Sequence, residues 1–481
     1  MKIRQRGITL GILLFFSLTA LSDGLPLPNP EEIPHYEIAL DIDFTGGTFS
    51  GVERIKFVNA TGEKLDEVFF RLYPNASAIY GDGLLSVEEV LVEGDVVETS
   101  TFMDETILMV ALPSPLEDAE TISLELRFNG RPAVWGSPGG TSSHVGYGIY
   151  AASARTMTLA SFYPILAVYD EEGWNIDPVY EIGDPVFSTI AIYSVSLTTE
   201  PGLTVLTSGR LINQKLNEEQ CSYRFAGKGM RDFIITLGKG YTQCIEHVGA
   251  VALRTSFFPE HAQAGQIAMA HAKAAITLYK QLFGPFAYDE LDLVEVPLER
   301  AAGVEYPGLI LIAEGYSDNP YDRFFSIIVS HETAHQWFYA VVGNDVIEEP
   351  WLDEAFATFA SLLFLEETCG VKVARTTIAN WQASYRSTCA CHPELSVTSP
   401  LYYFPDSATY NAFVYYGGAL FLDEVRRTIG DTAFFAALSA YYHDLAFQVA
   451  CAFDLLWHLE EACACDLSEV FSSYLNPQEK N

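Results

Sequence analysis

Apolar and polar residues alternate through the first half of the chain. Tyr36, Ile38, Leu40, Ile42 and Phe44 take every second position until Gly46-Gly47 ends the run. Tyr193, Val195 and Leu197 repeat the pattern before Pro201-Gly202, and FFRLY near 69, SLELRF near 123 and FIITLG at 233–238 extend it. A period of two is that of a half-buried strand. No stretch from 23 to 240 keeps a helical period beyond two turns. After 240 the period lengthens. Residues 261–283 are Ala-rich, carry Ile267, Ala270, Ala274, Ile276, Leu278 and Leu282, and stop at Gly284-Pro285, which predicts a helix. LDLVEVP at 291–297 predicts a short strand. Residues 321–342 are helically periodic and mostly apolar (Phe324, Phe325, Ile328, Val329, Trp337, Phe338, Val341), which predicts a buried helix. Pro350 opens another with Trp351, Leu352, Phe356, Phe359 and Leu362, ending at Cys369-Gly370. A helix at 372–386, one through Val414, Leu420, Leu422, Val425 and Ile429 stopped at Gly430, and two short ones complete the chain. The order predicts an α+β protein. An amino-terminal antiparallel β domain spans 23–240 and a mainly helical domain 241–481.

Chemistry concentrates in one stretch, SHETAHQWFYAVVGNDVIEEPWLDEAFATFA at 330–360. His331 and His335 stand four apart, so a helix presents both imidazoles to one metal ion. Glu332, one position along, faces instead the water that a zinc protease activates. Glu354, nineteen residues past His335, offers a third ligand from the next helix. Two histidines and one carboxylate leave an open position, the arrangement of a catalytic zinc site. The five-residue string also occurs on ordinary surface helices. Here the surrounding residues are apolar, and a buried face does not receive two histidines and a glutamate unpaired.

Composition narrows the partners. Of the 481 residues, 63 are Asp or Glu against 27 Lys or Arg, a formal charge of -36. Such a surface repels a phosphate backbone and argues against nucleic acid. Lys2, Arg4 and Arg6 precede the apolar run 8–20, and Ala20-Leu21-Ser22 has the small residues of a cleavage site, so 1–22 reads as a signal peptide and the protein as secreted or periplasmic. No later stretch is long and apolar enough for a membrane span. Eight cysteines in an exported chain permit disulfides, with Cys221–Cys244 the first pair to test. The doublets Cys389-Ala-Cys391 and Cys463-Ala-Cys465 are too closely spaced for a structural zinc site. Asn59-Ala-Thr61 and Asn75-Ala-Ser77 are glycosylation sequons.

HETAHQWF followed after eighteen residues by the glutamate of WLDEAFATFA resembles the zinc aminopeptidase family that contains membrane alanyl aminopeptidase and leukotriene hydrolase. Asp353 and Ala355 stand where that family usually has Asn and Gly. Ala302-Gly303-Val304-Glu305-Tyr306 resembles its G-A-M-E-N motif, with Glu305 kept and 26 residues from Glu305 to His331. Tyr415-Tyr416-Gly417-Gly418-Ala419 resembles its Y-x-K-G-A, with Gly417 in place of Lys. The resemblance covers about residues 30–475, in a short two-domain form with a thermolysin-like catalytic domain. It implies one Zn2+ per chain on His331, His335 and Glu354, Glu332 as general base, and Tyr415 as donor to the oxyanion. It also implies Glu305 as the anchor of the substrate's α-amine, with Gly303 and Tyr410 near the substrate. Relatives commonly add a Gln from the β domain; none falls in the expected place at 154–174, so no amine contact is assigned there. The expected activity is removal of amino-terminal residues from peptides with a free amine. A zinc endopeptidase is the alternative if Glu305 lies outside the cleft, and a non-catalytic exported binding protein is the remoter one.

Overall fold

The computed structural model describes residue 25 and residues 27–136 and 144–475; the leader read at 1–22 lies outside them. The alternating segments form three sheets. The largest has eight strands, and His35–Asp43 lies at its centre with the burial pattern that strict alternation demands, every second residue inside. Sheets of five and four strands pack with it. Tyr36, Tyr163, Tyr193 and Phe233 fill the space between them, with Tyr36 and Tyr193 stacked at 5.1 Å.

The sheet is not purely antiparallel. His35–Asp43 runs parallel to Ala191–Thr199, and Tyr150–Ala152 parallel to Ala133–Val134. The first pair is about 150 residues apart in sequence, and a long connection removes the hairpin constraint that would force antiparallel pairing.

Past 240 the chain is richer in strand than its pattern suggests. Thr242–Val248, Val251–Phe257, Glu290–Val296, Leu309–Ala313 and Gly303–Tyr306 form a further mixed sheet, with Gly303–Tyr306 at its edge. Only Glu290–Val296 matches a strand read from sequence; Gly303–Tyr306 and Leu309–Ala313 are short, the latter buried throughout, while Thr242–Val248 and Val251–Phe257 went unread despite partial alternation in burial. The helix Ala262–Leu282 covers this sheet and packs on the motif helix Arg323–Ala334.

The motif helix is shorter than its apolar pattern implies. It ends at Ala334, and residues 335–342 form a tight irregular turn in which Tyr339 has φ +115°. Trp337, Phe338 and Val341 are all buried there, so a buried turn reads like a helix by composition. Phe324, counted above in the buried face, is exposed. The following helix, Trp351–Cys369, is buried from Trp351 to Leu365, and Val371–Cys391 runs five residues beyond the expected end. Residues 411–417 are a π-helical turn leading into Gly418–Asp444, which breaks where expected at Gly430, at φ 81°. Among the described residues no helix is long and apolar enough to cross a membrane.

Cys221 and Cys244 do not pair. They lie on strands of different sheets and both thiols are free. The disulfide joins Cys463 to Cys465 instead. The sequon side chains are also occupied: Asn59 is buried and donates to Glu63 and Leu116 carbonyls, and Asn75 donates to Leu85 and Glu105.

Candidate active site

Two helices meet end to end at the site. Asp322 caps the motif helix by accepting from Phe324 N, and Phe325, Ile328 and Val329 bury its inner face. This leaves His331 in the last turn and His335 just past it. Asp353 and Glu354 occupy the first turn of Trp351–Cys369, where the helix dipole favours carboxylates.

The donor atoms converge. His331 Nε2 lies 3.2 Å from His335 Nε2 and 3.1 Å from Glu354 Oε2, and His335 Nε2 is 3.6 Å from the same oxygen. His335 turns its Nδ1 to the Phe338 carbonyl, 3.1 Å away, which assigns the proton to Nδ1 and leaves Nε2 free to bind. Glu332 Oε2 and Glu354 Oε2 are buried without a hydrogen-bond donor. Burial opposes ionisation of Glu354, yet the two imidazoles outweigh it and hold the carboxyl well below its usual range. Burial disfavours a charged His335 too, and Glu305, Glu354 and Glu332 together override it and raise its pKa. At His331 burial prevails and lowers it. Buried oxygens without donors, facing two imidazole nitrogens, fit a divalent cation, and two histidines with one carboxylate are zinc's donor set. His331, His335 and Glu354 would hold it.

The remaining residues surround that point. Gly303 lies beside Glu332: a Cβ at 303 would come within 2.6 Å of Glu332 Cγ and Oε1, so only glycine lets the carboxylate lie there. Burial lifts Glu332 to about 8, with Glu354 and Asp184 adding to the effect and His335 opposing it. Glu305 is buried on the edge strand, 3.6 Å from His335 Nε2, and burial raises its pKa. Tyr415 donates its hydroxyl to Glu354 Oε1 at 2.5 Å and stacks on the His331 ring. Its neighbour Tyr416 stacks on Trp381 instead. The π turn gives this register, and a Cβ at Gly417 would meet Tyr385 at 2.7 Å, which excludes the lysine expected there. Tyr410 is buried with its ring 5.8 Å from Tyr415, and its hydroxyl abuts Gly183 of the β domain.

One residue went unread in the sequence. Asp184, on an irregular β-domain loop, brings an oxygen within 4.8 Å of both Glu305 and Glu354. Burial raises its pKa, and Glu305 and Glu354 add to this. Gly183-Asp184-Pro185 looks like an ordinary turn in sequence. Only the packing of the 176–190 loop against Leu401 and Tyr410 carries it into the site.

A helix-borne pair of histidines and a carboxylate from the next helix, with a β domain closing one side, make a two-domain α+β fold with one candidate metal centre. Residues 267–474 match the Peptidase family M1 domain. It is 24% identical over 467 residues to Probable aminopeptidase 1 of Sulfurisphaera tokodaii, covering 92% of this chain and 52% of that one. It is 29% identical over 204 residues to Aminopeptidase N of Streptomyces lividans, covering 40% and 23%. The chain thus spans about half the length of the first relative and less of the second. Among solved structures, the M1 zinc metallopeptidase from Deinococcus radiodurans superposes with a TM-score of 0.66 at 18% identity, over 94% of each chain.

Proposed function

We propose that the protein is a zinc-dependent aminopeptidase that removes single residues from the amino terminus of peptides. The observation that carries this reading is Glu305, buried 3.6 Å from a metal-ligating imidazole and joined by Asp184 from the other domain. A protonated α-amine satisfies these carboxylates through charge-assisted hydrogen bonds. Leaving such a buried carboxylate unpaired costs on the order of 3–5 kcal/mol, so a substrate without the charge is rejected. The same side chains end the cleft one residue beyond the scissile bond, which makes the enzyme trim from the end.

The zinc, when bound, supplies a Lewis acid that polarises the scissile carbonyl and acidifies water. The chain supplies the rest. Glu332, held against Gly303, takes the proton of the attacking water and returns it to the leaving amine. Tyr415, released from Glu354 Oε1 by substrate, donates its hydroxyl to the oxygen that becomes negative in the tetrahedral state. Glu305 and Asp184 hold the amine, and Tyr410 walls the pocket from the β-domain side.

A ten-residue peptide followed by mass spectrometry tests this. A ladder losing single amino-terminal residues, abolished by chelator and by acetylation of the amine, is the expected result. Internal fragments formed equally fast from the acetylated peptide would establish an endopeptidase instead. The basic-then-apolar segment at 2–22 further supports export, with a mature chain beginning near residue 23. Native material that retains Met1 by amino-terminal sequencing would overturn that.

A further inference from the structure

We infer that Arg231, a β-domain residue far from any reacting atom, is a positioning residue that sets the metal ligand His335 and ties it to the loop carrying Asp184. The inference rests on the reading of His331, His335 and Glu354 as a metal site.

Arg231 follows the strand Cys221–Met230 and is 3% exposed. Among the described residues no carboxylate lies within ion-pair distance of it. Its hydrogen-bond acceptors are carbonyl oxygens, and all three guanidinium nitrogens are used on them. Nε donates to Tyr339 O at 2.8 Å, and Nη2 to Val341 O at 3.3 Å and to Gln448 O. Nη1 donates to Ser188 O at 3.3 Å, and Ser188 Oγ returns a bond to the Arg231 carbonyl. A rigid planar fork with five donors is the one side chain that can meet so many acceptors at once.

Those acceptors are not scattered. Tyr339 and Val341 belong to the turn 335–342 that follows the motif helix, and Phe338, next to Tyr339, supplies the carbonyl that receives His335 Nδ1. Tyr339 sits at φ +115°, a conformation that a residue with a side chain seldom holds unless its surroundings impose it. The bond from Arg231 Nε to Tyr339 O is one such constraint, and that from Tyr339 N to Val342 O is another. Gly343 makes room: a Cβ there would lie 2.2 Å from Arg231 Cζ. On the other side, Ser188 lies four residues from Asp184 in the same loop. One guanidinium therefore spans the metal-ligand turn and the amine-binding loop.

Arg231→Met keeps much of the apolar stem and removes every donor; Arg231→Lys keeps the charge without the fork. Competition with a chromogenic chelator measures Zn2+ affinity of the full-length apo-protein, and the ligand-field bands of the Co2+-loaded protein report the coordination geometry. Loss of a group that orients a metal ligand weakens binding about 10- to 100-fold. Arg231→Met is expected to show that loss with shifted Co2+ bands, and Arg231→Lys an intermediate loss. Asn59→Ala, which removes four bonds inside the β domain, is the control; it lowers the unfolding temperature and leaves both metal readouts unchanged. A folded Arg231→Met with wild-type Zn2+ affinity and Co2+ bands overturns the inference, as does an Asn59→Ala that weakens Zn2+ equally. If Arg231→Met does not fold, the lysine variant decides by the same two readouts. A wild-type protein that binds no Zn2+ would overturn the metal reading itself, and this inference with it.

Discussion

Glycine at 303 and tyrosine at 415 both make close approaches in the candidate site: a Cβ at 303 would come within 2.6 Å of Glu332, and the Tyr415 hydroxyl lies 2.5 Å from Glu354 Oε1. Gly303→Ala drives a methyl into Glu332, so turnover is expected to fall by roughly 10²-fold or more, the scale of a lost general base, while bound zinc stays near one per chain. Glu332→Gln is expected to match it in turnover and metal analysis; a Gly303→Ala enzyme with normal kcat would show that Glu332 has room to spare. Tyr415→Phe is expected to lower kcat and kcat/KM together by roughly 10²-fold, as for a donor that acts only in the transition state. Tyr416, committed to Trp381, is expected to tolerate Phe with little change. Steady-state kinetics of the pair checks the register. At this scale the residue types of the motif were legible, because each chemistry admits few side chains. Asp184 was not, since nothing in a Gly-Asp-Pro turn marks which loop folds inward.

Helices and strands translate their sequence patterns unevenly. Strict alternation in His35–Asp43 became the burial pattern it implies, and Gly430 broke its helix as expected. The reading of 321–342 as one helix failed because Trp337, Phe338 and Val341 are buried in a turn, and burial rather than helicity dictates apolar residues. The π turn at 411–417 was equally hidden, since one extra residue per turn leaves no mark on a short apolar run. Its glycines are where the turn presses on its neighbours. Gly417→Ala is expected to cost about 1–3 kcal/mol, the usual penalty of overpacking, through Tyr385. Thermal unfolding of the variant measures this. An unchanged melting temperature would mean that Tyr385 moves aside freely.

At the scale of the whole molecule, Glu53 stands out among the described residues of the β domain as a buried carboxylate without a hydrogen bond. Glu53 is fully buried, neither carboxylate oxygen has a hydrogen bond, and burial raises its pKa well above the ordinary value. The unfolded chain releases this proton near the usual glutamate pKa while the folded one retains it. The contribution to stability is therefore fully present below that value and is lost as pH rises toward the folded pKa, by up to about 1.4 kcal/mol per pH unit. Glu53→Met is expected to be more stable than wild type, by a margin that widens from pH 5 to pH 7. Urea unfolding at both pH values checks this, and a constant margin would mean that Glu53 ionises normally in the fold. Two kinds of information thus built this protein. The sequence by itself indicated the alternation of the first strands, the main helices after residue 260 and the candidate metal donors, because periodicity and ligand chemistry are properties of neighbouring residues. Tertiary structure alone decided the parallel pairing of strands about 150 residues apart, the strand that carries Glu305 and the end of the motif helix. It also brought Asp184 to the candidate site and Arg231 to the turn behind His335, because those contacts join residues with no local signal of their partners.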